Sequence, residues 1–188
     1  NIMVDTSRTV SDLTANLFQD GQASGSITPQ DLRDLVETVQ VKQGSIYVSS
    51  ATATTIASTG VYVEAAGTWT LSTSPTANEF DMNTNGRLRY TGTPTVNCMF
   101  MVTTSMEMAA GTTLKENGLQ LHKNGTVITG STVIRLSPSV NNKPGNVTTF
   151  ALASMATNDY ISIYVANLDS TDNITVSNAN LIGYSLVT

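Results

Sequence analysis

The chain has 188 residues, of which 40% are hydrophobic and 12% charged, and its formal net charge is −5 at pH 7. This length suits one domain of ordinary size with a short additional segment. The few basic residues form no cluster, so the phosphate-binding surface of a nucleic-acid-binding protein is not expected. No apolar run approaches the ~18 residues that a membrane-spanning helix needs, so membrane insertion is not expected either.

The first 27 residues are mostly polar but contain a short apolar pattern. Leu13 and Leu17 lie at helical spacing, and Phe18 follows Leu17. Residues 20–26 are rich in Gly and Ser, which predicts a break in regular structure. The pattern therefore predicts a short helix followed by a loop.

A second helix is predicted over about residues 28–41, and its start is well specified. Thr28 suits the N-cap, Pro29 then falls at the first helical position, and Asp31 can complete a capping box. Ile27, before the cap, is placed to form a hydrophobic staple with Leu32.

The same helix carries an apolar stripe at i, i+3, i+4 and i+7 spacing. A helix of this length is marginal alone in water, so the stripe is expected to pack against the body, sister copies or another protein. The residues predicted to serve assembly or anchoring are Leu13, Leu17, Phe18, Ile27, Leu32, Leu35, Val36 and Val39.

From Gly44 onward the hydrophobic period changes to two, which is typical of strands. Longer strands are predicted at 95–104, 147–155 and 159–166, and hairpin turns at Asn83–Gly86 and Asn124–Gly125. Many short strands without a fixed repeat favour an antiparallel jelly-roll β-sandwich with a short helical N-terminal arm. The predicted domains are an arm over residues 1–43 and a body over 44–188.

Candidate sites for chemistry are weak. The run from Asp81 to Gly86 matches the first half of a calcium loop, but Gly92 stands where a bidentate Glu is needed. Asp169 and Asp172 could share an ion at a loop tip, but a solvated turn is the favoured interpretation of these two residues. His122 is the sole histidine, and Cys98 lies in an apolar run typical of a core.

No cofactor or metal is predicted, and the chain is not expected to be an enzyme. A carboxylate pair for glycoside hydrolysis stays open, because the sequence does not show which acids meet. Exposed aromatic residues could bind sugars, with core or interface positions as the alternative. The aromatic residues considered are Tyr47, Tyr62, Trp69 and Tyr90.

Two segments resemble known families. Leu13-x-x-x-Leu17-Phe-x-Asp-Gly21, together with Ser26-Ile-Thr-Pro-Gln-Asp-Leu-Arg-Asp-Leu-Val36, resembles an N-terminal module of structural proteins of tailed bacteriophages. Leu119-x-Leu-x-Lys-Asn-Gly-Thr-Val-Ile128, followed by Asn158-Asp-Tyr-Ile-Ser-Ile-Tyr-Val165, is similar to trimeric jelly rolls of the tumour-necrosis-factor/C1q type. Asn158 replaces the Gly usual in that family. The second resemblance implies a homotrimer.

Together these features predict a non-enzymatic protein of the virion surface. The first hypothesis is a homotrimeric capsid decoration (cement) protein whose N-terminal arm binds the major capsid protein. The alternative is a short tail-fibre or receptor-binding protein, with tail proteins and a host surface glycan as partners. The absence of a predicted shaft between helix and body favours decoration, because a tail fibre needs reach.

Overall fold

A computed structural model describes residues 27–73, 77–108, 114–138 and 145–186. Its described residues form one α-helix and two antiparallel sheets. In chain order the elements are α1 (Pro29–Val39), β1 (Gln43–Ser50), β2 (Ala53–Thr54), β3 (Val63–Glu64), β4 (Thr68–Leu71), β5 (Phe80–Thr84), β6 (Arg87–Tyr90), β7 (Val96–Met108), β8 (Leu114–Lys123), β9 (Thr126–Val127), β10 (Val133–Pro138), β11 (Gly145–Met155), β12 (Tyr160–Asn167) and β13 (Ile174–Ser185).

The strand order identifies a jelly roll. Sheet A has the order β11-β7-β13-β1-β4, with β2 beside β13, and sheet B has the order β10-β8-β12-β6-β5, with β3 beside β12 and β9 beside β8. The main strands pair in a nested way, β1 with β13, β6 with β12, β7 with β11 and β8 with β10. Nested antiparallel pairing across two sheets is the jelly-roll arrangement, so the predicted fold class is confirmed.

Alternation along the long strands places the core between the sheets. On β7, for example, Phe100 and Val102 are buried whereas Met101 is exposed. An aromatic cluster joins the two layers, because the ring of Phe80 lies 5.4 Å from that of Tyr90 in sheet B and 6.2 Å from that of Phe100 in sheet A. Edge-to-face and tilted contacts at these distances stabilise a core beyond the area they bury.

Local turn chemistry follows the sequence closely. Asn124 and Gly125 both have positive φ, of 51° and 80°, and they join β8 to β9 as the Asn-Gly pair predicts. Asn158 also has a positive φ, of 72°. That backbone conformation explains why Asn can stand where the resembling family has Gly, since these two residue types tolerate the left-handed region best.

The strands differ from the prediction in extent. β7 continues to Met108, four residues beyond the predicted end, and the predicted strand at 147–155 begins two residues earlier. β10 was not predicted, because Val133, Ile134 and Leu136 are apolar on both faces of the strand and give no clean alternation.

Candidate functional site

The helix α1 begins as the sequence predicts. The Thr28 hydroxyl accepts a hydrogen bond from the Asp31 backbone N–H at 3.2 Å, and the Asp31 carboxylate accepts one from the Thr28 N–H at 2.8 Å. This reciprocal capping box satisfies two of the N–H groups that a helix start leaves open. The helix then ends at Val39, three residues before β1 begins.

The predicted apolar stripe of α1 points largely to solvent. Ile27, Leu32, Val36 and Val39 are 43%, 52%, 56% and 48% exposed, whereas Leu35 is half-buried. The stripe therefore remains available to a partner, and its anchoring role stays a prediction. Three further predicted anchoring residues, Leu13, Leu17 and Phe18, lie outside the described residues.

A buried lysine connects the end of α1 to the jelly roll. The ammonium of Lys42 lies 2.6 Å from the Glu37 carboxylate on the helix and 3.5 Å from the Glu79 carboxylate before β5. It also donates to the Glu37 carbonyl at 2.8 Å, and only 3% of the lysine side chain is exposed. A buried ammonium is stable only when its charge is paired. These charged contacts therefore connect the helix to the body.

Tyr90 extends this cluster into the core. Its hydroxyl lies 3.2 Å from the Glu79 carboxylate and 2.9 Å from the Pro94 carbonyl. Burial raises the pKa of Tyr90 well above its usual value, and the nearby negative charge of Glu79 raises it further. The phenol thus stays neutral and serves as a hydrogen-bond donor, so this cluster is structural.

The outer face of sheet A carries an apolar surface that the sequence did not reveal. Phe150 is 66% exposed, Leu152 is 60% exposed and Met101 is 40% exposed. Phe150 and Met101 are directly opposite each other on β11 and β7, so the three side chains share one face. We call this set the sheet A patch. Large apolar side chains clustered on a surface are typical of interfaces.

A second apolar surface lies on the neighbouring edge strand. Ile134 and Leu136 on β10 are 55% and 52% exposed and lie on the same face of sheet B. We call these two residues the β10 edge patch. β10 is the last strand of sheet B and β11 is the last strand of sheet A, and the Thr149 hydroxyl on β11 donates to the Ser131 carbonyl just before β10 at 2.8 Å, so both patches border the same side of the sandwich.

Beyond the β10 edge patch, the outer face of sheet B carries polar side chains that hydrogen-bond to one another. His122 stacks on Tyr164 with ring centroids 3.7 Å apart, and its two ring nitrogens lie 2.9 Å from the Gly125 carbonyl and from the Gln120 amide oxygen. His122 is 8% exposed, so it is a buried residue of β8. A ring held at both nitrogens is a structural histidine.

Two of the three acidic groups considered as ion ligands are paired with cations of the chain, and the third, Asp169, accepts a hydrogen bond from the Glu116 backbone N–H at 2.7 Å. Asp81 makes two hydrogen bonds to the guanidinium of Arg89, at 2.8 and 2.6 Å. Asp172 pairs with Lys115, which lowers the pKa of its carboxyl. Among the described residues, no three His, Cys, Asp or Glu side chains come together as metal ligands. The half-match at Asp81–Gly86 is therefore explained by a hairpin with an ion pair.

The remaining single candidates take ordinary structural positions. Cys98 is buried in the core, and burial raises the pKa of its thiol to about 12, so it is unreactive at neutral pH. Trp69 and Tyr90 are also core residues, and Tyr62 is half-buried, whereas Tyr47 is 41% exposed on sheet A. No helix within the described ranges is long and apolar enough to span a membrane.

Comparison with known proteins finds structural similarity at low sequence identity. No protein-family model matches the chain, and no curated protein matches it significantly. A crystal structure of murine APRIL at pH 5.0 is similar with a TM-score of 0.47 and 12% identity, covering 77% of this chain and 100% of that chain. The structure of Eiger TNF from S. frugiperda is similar with a TM-score of 0.46 and 10% identity, covering 78% and 92%. Such values carry no argument about activity or partners, and the bacteriophage resemblance stays a prediction.

Proposed function

We propose that this chain is a non-enzymatic, homotrimeric surface protein of a virus particle, in which the N-terminal arm attaches a displayed jelly roll. The observation that carries the proposal is the pair of exposed apolar surfaces on the body, the sheet A patch and the β10 edge patch, together with the outward stripe of α1. Each of these surfaces has the composition of an interface rather than of a solvated face.

The two body patches favour a closed ring of copies. A cyclic trimer uses a different surface on each side of every contact, because the interface is heterologous. Phe150 and Leu152 supply one such surface, and Ile134 and Leu136 supply the other. Because the patches border the same side of the sandwich, the β10 edge of one copy can pack on the sheet A patch of the next while the opposite side stays outside.

Attachment to a particle is supported by the helix and its short connection. Three residues separate the end of α1 from the start of β1, so the body sits directly on the arm with no shaft between them. A compact trimer close to its support suits a capsid decoration protein better than a tail fibre. Leu32, Val36 and Val39 would then pack on the shell or around the trimer axis.

The non-enzymatic part of the proposal is supported by the acidic groups. Asp81 and Asp172 are engaged by Arg89 and Lys115. Hydrolysis of a glycosidic bond needs two carboxyl groups on either side of a substrate. A polysaccharide-degrading activity of the purified protein would overturn this part.

The test of attachment uses particles that lack the protein and rebind it in purified form. The double variant Leu32→Asp/Val36→Asp should fail to bind, because two carboxylates would have to be buried at the contact. Arg33→Asp, which changes the net charge equally on the same helix, should bind like the wild type. Equal binding by all three proteins would contradict an anchoring stripe.

The number of copies per particle then separates the two locations. Hundreds of copies indicate decoration of the shell, whereas a few dozen or fewer indicate the tail. Particles without the protein should lose stability on heating if it is a cement protein. Particles that stay stable but no longer adsorb to cells would favour the tail-fibre alternative.

A further inference from the structure

A pocket opens on the outer face of sheet A beside the sheet A patch, because Ile182 of the pocket is opposite Met101 of the patch in the pairing of β13 with β7. Its volume is about 260 Å³, and its walls come mainly from β1 and β13. The sheet A patch lies on β7 and β11, on the other side of β13. The side chains used below are Gln43, Ser45, Tyr47, Asn180 and Ile182.

Strand register explains why these side chains meet. Ser45 is opposite Ile182, and Tyr47 is opposite Asn180, in the antiparallel pair of β1 and β13. Side chains at directly opposed positions stand about 5 Å apart, and those at i and i+2 share a face. The four residues therefore form a compact square on the outer face, and Gln43 extends it by one position along β1.

Four polar side chains of this pocket have uncommitted hydrogen-bonding groups. Within the described part of the chain, the side chains of Gln43, Ser45, Tyr47 and Asn180 make no hydrogen bond to a protein group, although many other polar side chains on the strands do. Two amides and two hydroxyls can thus each donate and accept. Among the described residues that line the pocket there is no Lys, Arg, Asp, Glu or His, so these walls offer no charge to pair with a charged ligand.

We propose that this pocket binds one ring of a neutral saccharide. The volume of about 260 Å³ is slightly below the ~300–1,000 Å³ of pockets for drug-sized ligands, which suits a single sugar ring rather than a chain. Tyr47 and Ile182 present apolar surface for the C–H face of the ring, and the amides and hydroxyls match its hydroxyl groups. A charged sugar is disfavoured, because its charge would lose water without gaining a partner.

This inference goes beyond the trimer proposed above and does not depend on it. Oligomeric mass and sugar binding are separate measurements, and the pocket residues belong to neither apolar patch. The trimer proposal can fail while the pocket still binds sugar, and the reverse is also possible. Both properties should be measured on the same sample of the full chain.

The test is saturation-transfer NMR of the full chain with glucose, galactose, mannose and N-acetylglucosamine, and with N-acetylneuraminic acid as a charged comparison. We expect at least one neutral sugar to bind with a millimolar Kd or tighter, and N-acetylneuraminic acid to bind at least tenfold more weakly than that sugar. Absence of binding by all four neutral sugars, or equal binding by the charged sugar, would overturn the proposal.

Variants locate the site. Tyr47→Ala should weaken binding at least tenfold, and Ser45→Leu, which fills the pocket while leaving Tyr47 in place, should do the same. Tyr160→Ala is the matched control, because it removes a half-buried tyrosine from the outer face of sheet B. Binding that survives both pocket variants in folded protein, or that is lost equally in the control, would place the sugar elsewhere and refute the assignment.

Discussion

Phe150→Ala should dissociate the proposed trimer without unfolding the jelly roll. A buried Phe removes about 200 Å² from water, so the 66% of Phe150 that is exposed on one copy leaves roughly 130 Å² for an interface to cover. At ~25 cal/mol per Å² this area is worth about 3 kcal/mol in each contact. A ring of three contacts would then lose about 9 kcal/mol, which lowers the overall association constant by roughly a millionfold.

The assay is sedimentation velocity over a range of protein concentrations, with circular dichroism to confirm folding. Val61→Ala is the control, because Val61 is 50% exposed but belongs to neither apolar patch. We expect the control to sediment like the wild type and Phe150→Ala to sediment as a smaller species. A Phe150→Ala protein with the same mass and the same concentration dependence as the wild type would refute the assignment of the sheet A patch to the interface.

Three further predictions concern the body itself. Lys42→Met should lower the free energy of unfolding by about 1–3 kcal/mol and speed amide exchange in α1, because Glu37 and Glu79 lose the cation that they share. Unchanged amide exchange in α1 would show that Lys42 does not hold the helix to the body. Burial alone would raise the pKa of Asp159, but hydrogen bonds to its carboxylate lower the pKa on balance. The ionised carboxylate should therefore stabilise the fold at neutral pH, and this stabilisation should be lost as pH falls below about 4. In Asp159→Asn, the free energy of unfolding measured with denaturant should fall less steeply with pH across that range. Gly44→Ala should destabilise the fold by about 1–3 kcal/mol in the same assay, since an added Cβ would lie 2.4 Å from the Phe80 Cβ; wild-type stability would contradict that packing.

Local features of this chain could be predicted because their causes are local. The capping box of Thr28 and Asp31 depends on residues three apart, and the turn at Asn124–Gly125 depends on two residues that tolerate positive φ. The jelly-roll class followed from alternation and turn spacing. The arm and body division was predicted in the same way, and no observation tests it.

The candidate surfaces could not be predicted, because they depend on register between distant strands. Phe150 and Leu152 are apolar, but so is Ala151 between them, and the sequence alone does not show which face of β11 is covered. Similarly, Ser45 and Ile182 are far apart in the chain and meet only through the pairing of β1 with β13. The six residues of β10 gave no strand signal, because apolar residues lie on both of its faces.

The mass of the full chain in solution tests the central claim most directly. Native mass spectrometry or sedimentation equilibrium of the wild type should give three times the 19.9 kDa of one chain, or about 60 kDa. A mass of one chain over the whole concentration range, with both apolar patches left exposed to water, would contradict a homotrimer built on these surfaces.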